Sequence, residues 1–147
     1  MFRALFSRKE RFDDAAKLQF ATTIAEMLQL QMIMAAGKSI EDERGHLKRK
    51  ALGYVYGYID AALRTRGQDM ADMSIGVPIT FQVIRRLWPD HVNKCMDFLA
   101  KNLKSDALMN AGIMHGGQQF LDYSKPGSSG AAMGLDRFMI EGDTTQT

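Results

Sequence analysis

Residues 51–63 read ALGYVYGYIDAAL. Gly53 and Gly57 sit four apart, interleaved with Tyr54, Tyr56 and Tyr58, and Asp60 closes the aromatic run. Placed at 100° per residue, Ala51, Val55, Tyr58 and Ala62 centre one helical face, and Leu52, Ile59 and Leu63 widen it. Gly53 and Gly57 fall on the opposite side, together with His46, Arg49, Lys50, Asp60 and Arg64. Glycine inside a helix costs ~1 kcal/mol against alanine, so two on one stripe require a reason. One reason is the close approach of a second helix. Another is a groove with a bare backbone floor and an ionisable rim, open to an anionic ligand or a partner's segment.

The rest of the chain also reads as helix. Ala, Leu, Met, Gln and Lys are plentiful, prolines number three, and β-branched residues are sparse. A first helix is predicted from about Asp14 to Ala36, capped by Asp13 or Asp14 and stopped by Gly37. Phe20, Ile24, Met27, Leu28, Met32 and Met34 cover more than half its circumference, which predicts a central position. After the charged link GKSIEDERGHLKRK, the second helix runs to about Arg66, with Gly67 as its stop. A loop over 67–77 leads to a third helix, PITFQVIRRLW, with Pro78 in its first turn, ended by Pro89. A fourth spans about Asp90–Leu103. A fifth, capped by Ser105, reaches about Tyr123, and a short sixth covers about Ala131–Ile140. The expected fold is an all-α, single-domain bundle of five to six helices with short links. It comprises a helical domain over 13–140, a basic amphipathic lead segment over 1–12 and a disordered tail over 141–147.

Gly-x-x-x-Gly recurs at Gly112/Gly116 and at Gly130/Gly134. Gly112 and Gly116 share a face with Met109, Ile113 and Phe120, so close helix packing is expected there.

Charge bounds the partners. The net charge is only +2, a weak basis for nucleic-acid binding, and no nucleic acid is expected. Residues 1–12 carry Arg3, Arg8, Lys9 and Arg11 against Glu10, whereas residues 105–147 carry five acids against Lys125 and Arg137. That asymmetry suits protein contact or a membrane surface. In the lead segment Phe2, Leu5, Phe6 and Phe12 alternate with the cations, so it can dock on the bundle, on a twin chain or on anionic lipid. No apolar run reaches the ~18 residues of a spanning helix. Asp13, Asp14 and Glu26 interrupt any export signal. Cys95 is alone, which suits a reducing cytoplasm.

Catalytic motifs are sparse. Glu43 and His46 form one E-x-x-H where a di-iron bundle needs two. His91 and Cys95 share a face but lack further zinc ligands. His115-Gly116-Gly117 has the letters of an oxyanion loop without the preceding strand or a G-x-S-x-G. No catalytic residue, cofactor or metal is assigned. Eleven methionines are unusual; they fill cores or make pliable protein-binding faces. The expected function is non-enzymatic protein–protein contact, including self-association, through Arg49, Gly53, Gly57, Asp60 and Arg64. The alternative is a small-molecule binder or lyase-like enzyme in which Asp60, His46 and His115 converge beside Tyr56. A third possibility is a peripheral membrane adaptor anchored by residues 1–12.

Overall fold

The second predicted helix is the axis of the bundle. It spans Arg49–Thr65, and twelve of its 17 residues are buried. In the computed structural model, which describes residues 12–125, 127 and 132–144, five further α-helices surround it. In chain order they are α1 (Asp14–Gln31), α2 (Arg49–Thr65), α3 (Met73–Leu87), α4 (Val92–Asn102), α5 (Ala107–Tyr123) and α6 (Gly134–Glu141). Short 3-10 turns cover Pro89–His91 and Gly142–Thr144. The expected all-α bundle in one domain is what forms.

Both faces of α2 are covered. Leu52, Val55, Ile59 and Leu63 enter the core with Ile24 and Leu28 of α1 and Ile79 and Ile84 of α3. The glycine face is covered by α5. A Cβ at Gly53 would overlap the Met109 carbonyl, and one at Gly57 the Ile113 carbonyl. The relation is reciprocal: a Cβ at Gly112 would meet the Lys50 carbonyl, and one at Gly116 the Tyr54 carbonyl. Residue numbers rise together on both helices, so α2 and α5 run in the same direction, backbone against backbone. Gly53 and Gly57 are therefore not the floor of an open groove. Gly130 of the third glycine pair lies outside the described residues.

Several helix ends differ from expectation, each for a local reason. Helix α1 stops at Gln31, where the chain passes into tighter turns (Ala35 N–H to Met32 O, Ala36 N–H to Ile33 O) before Gly37 at φ +85°. Helix α3 begins at Met73, five residues before Pro78, because Asp72 caps it by accepting from the Ser74 N–H. Pro78 then lies inside the helix and leaves the Ser74 carbonyl without its usual donor. Lys17 Nζ of α1 supplies one at 2.7 Å. Asp106 caps α5 through the Met109 N–H, in place of Ser105. Pro89 ends α3 as predicted, and α6 begins at Gly134.

The expectation of a tail disordered from 141 also changes. Glu141 ends α6, residues 142–144 form the 3-10 turn, and Asp143 bonds to α2. Of the lead segment only Phe12 is described. It packs edge-on against Phe20, with the Arg66 guanidinium over its ring.

The glycine pairing makes a quantitative expectation. Gly57→Ala should lower unfolding free energy by about 2–3 kcal/mol or more, because backbone cannot yield cheaply to a new methyl. Gly117→Ala is the matched control. Its Cβ would sit 3.4 Å from the Gly57 carbonyl, and improved helix propensity offsets the crowding, so a change within ~1 kcal/mol is expected. Urea denaturation of both variants reads the difference.

Candidate functional site

Because α2 and α5 are parallel, their N-termini lie together and present two positive dipole ends side by side. Helix α2 has no cap of its own: the Lys48 side chain makes no capping bond. Asp143 provides it from 93 residues away, accepting from the Lys50 N–H at 2.9 Å. Arg49 joins both helices to the tail. Its Nη1 donates to Asp106 at 2.8 Å and its Nε to Asp143 at 3.3 Å. Burial opposes ionisation of Asp106, but the Met109 N–H and Arg49 together hold its carboxyl below the usual value. Hydrogen bonding to Asp106, foremost, raises the Arg49 value. Nearby, the buried Lys48 donates to the Met139 carbonyl at the end of α6. Burial, with Lys38 close by, pushes the Lys48 ammonium down.

A cleft of about 570 Å³ lies against this clamp. His46, Arg49, Lys94, Lys101 and Asp143 are among its walls. Its charges are largely engaged. Lys94 bonds to Glu41 and to the Gly45 carbonyl, Lys101 pairs with Asp97 at 3.1 Å, and His46 faces Asp42 at 3.9 Å. A ligand entering here exchanges existing ion pairs for new ones and gains little.

The other sequence-predicted residues are dispersed. Asp60 pairs with Arg64 one turn on, at 3.1 Å. Tyr56, half-buried on the same stretch, has its phenol pushed up by burial and then by Asp60. His46 precedes α2, whereas Asp60 lies eleven residues beyond Arg49, roughly 16 Å along the axis. His115 stands elsewhere again, its ring 5.9 Å from Tyr54 and 5.3 Å from Phe138. Burial lowers its pKa and favours the neutral ring. Asp60, His46 and His115 thus have separate partners, and no hydrogen bond or ion pair among the described residues joins them. His91 is engaged by Glu41 at 3.1 Å, and burial pushes the Cys95 thiol up to about 12. Among the described residues no three His, Cys, Asp or Glu side chains gather as a metal site, and no helix is long and apolar enough to cross a membrane.

A second feature appears where α1 ends. Phe20, Ile24 and Leu28 are buried, as their pattern implies, but Leu30 is 68% exposed, Ile33 64% and Met34 73%. Leu30 and Met27 meet Tyr123 and Met133 around a hollow of about 270 Å³. Beneath it lies Gln31, whose side-chain oxygen accepts from Tyr54 Oη and from the Leu135 N–H. Gln119 Oε1 accepts from the Gly134 N–H and lies 2.5 Å from Tyr54 Oη, so the two glutamines share the one phenolic proton. Two glutamines from α1 and α5 therefore cap α6, whose own Met133 makes no capping bond. The methionines divide: Met70, Met109 and Met139 are buried, whereas Met34, Met73, Met114 and Met133 are exposed. Helix α1 carries more apolar surface than its place in the bundle uses. The wide apolar arc of its wheel predicted a central helix, but α1 leaves Met27 and Leu30 at the surface, with Met34 exposed just beyond its end.

Compared with known protein families, with curated proteins and with solved structures, the chain matches none of them.

The clamp predicts an acid response. The Asp106 carboxyl is depressed in the folded state, so its stabilisation is present above the unfolded value near 3.9 and is lost as pH falls through the lower folded value. Thermal melts from pH 6 to pH 2 should show a steeper loss for the parent protein than for Asp106→Asn, which is less stable at neutral pH. Arg49→Met should cost about 1–2 kcal/mol at neutral pH, since two charge-assisted hydrogen bonds go but the site is partly solvated.

Proposed function

We propose that this chain is a non-enzymatic helical protein whose work is protein–protein contact, including association with a second copy of itself. The observation that carries the reading is the run of exposed apolar side chains at the end of α1, continued by Met133 and Tyr123. Contiguous apolar surface of this kind, rimmed by polar groups, marks an interaction site. The chemistry of the face suits adaptable docking, because unbranched methionines re-form their contacts at low cost.

A second copy is favoured by size. Six side chains exposed by a third to three-quarters offer on the order of 600 Å² per copy, close to the roughly 800 Å² per partner of a standard interface. The surface moves from where the sequence alone suggested. Gly53 and Gly57 are internal, and Arg49 is held in the clamp. Asp60 and Arg64 remain paired with each other on α2, the Arg64 side chain exposed and Asp60 partly buried. A cytoplasmic setting belongs to this reading, on the strength of the lone reduced thiol of Cys95.

Sedimentation velocity tests it directly. The parent chain should show a concentration-dependent shift towards dimer through the micromolar range. Leu30→Asp with Met34→Asp should sediment as monomer with an unchanged melting curve, since exposed substitutions cost little stability. A parent chain that stays monomeric at high micromolar concentration would refute the self-association.

A further inference from the structure

Half of the apolar side chains on the self-association face are methionines: Met27, Met34 and Met133, beside Leu30, Ile33 and Tyr123. We propose that these three are a modification site, at which hydrogen peroxide oxidises the thioethers of the monomer to sulfoxides and the oxidised face no longer pairs with a second copy. The inference rests on the self-association reading and adds its regulation.

The placement of sulfur carries the argument. Met27, Met34 and Met133 are exposed by a third to three-quarters, so dissolved peroxide meets them directly. Met27 and Met133 line one hollow, and no charged side chain is among its described walls. Met70, Met109 and Met139 are buried, and peroxide reaches them only when the bundle opens. The chain's one cysteine does not compete for the oxidant. Cys95 is buried, and burial pushes its thiol up to about 12, so the reactive thiolate is scarce. The face is therefore where accessible sulfur and a contact surface coincide.

The reaction is a two-electron transfer. The methionine sulfur attacks one peroxide oxygen, and the S–O bond forms as the O–O bond breaks. The proton on the attacked oxygen passes to the departing hydroxide, which leaves as water. Sulfur is oxidised and peroxide is reduced, with no further reactant. The product replaces a flexible apolar chain by one carrying a strong S=O dipole. In the monomer, water solvates that dipole. In the dimer it is desolvated against apolar side chains, which opposes binding. A two-fold interface presents each modified residue twice, so the penalty is doubled. Pairing also shields the same sulfurs, so oxidation consumes the monomer and draws the equilibrium away from the dimer.

A hydrogen peroxide pulse on the full chain, read by site-resolved mass spectrometry and by sedimentation velocity, tests this. Met27, Met34 and Met133 should oxidise about threefold or more slowly well above the dimer dissociation constant than well below it. Met73 and Met114, both exposed, are the internal controls and should oxidise alike at both concentrations. Met73 lies beside the start of α1, where Lys17 bonds to the Ser74 carbonyl. Met114 is nine residues before Tyr123 on α5, about 13 Å along the axis. The oxidised parent should dimerise about tenfold or more weakly than the reduced one, and methionine sulfoxide reductases should restore it. Met27→Leu, Met34→Leu and Met133→Leu together keep the face apolar at similar volume and should make dimerisation indifferent to peroxide. Met73→Leu with Met114→Leu should leave the parent's response intact. A reduced parent that dimerises, with an affinity unchanged by peroxide, overturns the inference and leaves self-association standing. So does oxidation of the three face methionines at a rate indifferent to protein concentration, or loss of the dimer when the triple leucine variant meets peroxide. A reduced parent that stays monomeric overturns both.

Discussion

The structure depends on one constraint: α2 and α5 touch through their backbones. Four glycines make this possible, and each faces a carbonyl of the other helix. At that separation the glycine Cα–H groups become weak donors to those carbonyls, which adds modestly to the dispersion gained by close contact. The cost of flexible glycine in a helix is offset by contact that no larger residue permits. It also fixes direction. Parallel neighbours cannot be joined by a tight turn, so α3 and α4 carry the chain back between them.

Parallel packing creates an electrostatic problem at one end and organises the residues that solve it. Two helix N-termini gather there, and the carboxylates of Asp106 and Asp143 counter their dipoles, while Arg49 keeps the carboxylates from repelling each other. Arg49 would be out of place at a helix start if that start stood alone. Helix α6 obeys the same logic without charge: Gln119 and Gln31 accept from its Gly134 and Leu135 N–H groups, and the Tyr54 hydroxyl lies against both glutamine oxygens. The bundle is closed by caps exchanged between elements distant in sequence.

That exchange explains which parts were legible from the amino acids. Local signals were reliable: Asp13 caps α1, the Gly67 stop lies just beyond α2, and Pro89 ends α3. The wheel of ALGYVYGYIDAAL separated its two contents correctly, because 3.6-residue periodicity is a property of the segment alone. What covers the glycine side is non-local. The matching pair at Gly112 and Gly116 was the available signal, and pairing the two motifs required knowing that the helices run parallel. Asp143 read as tail because nothing in its neighbours announces a bond to Lys50. The polar candidates misled for a related reason: charges on a wheel look free until each partner is placed. The exposed end of α1 was hidden by the opposite error, in which apolar residues were all assigned to the core.

The borrowed cap on α2 bears on how the molecule comes into being in time. As the chain is synthesised, α2 is made before the two things that complete it: the glycines of α5, some sixty residues on, and Asp143. Until then α2 is a helix with two interior glycines, an unfinished start and a broad apolar face, and it has little reason to persist. Its order is imposed by sequence-distant contacts, which slow folding and prolong the exposure of sticky intermediates. The nascent chain must therefore hold its central element open to solvent, or to a chaperone, until α5 and Asp143 have emerged.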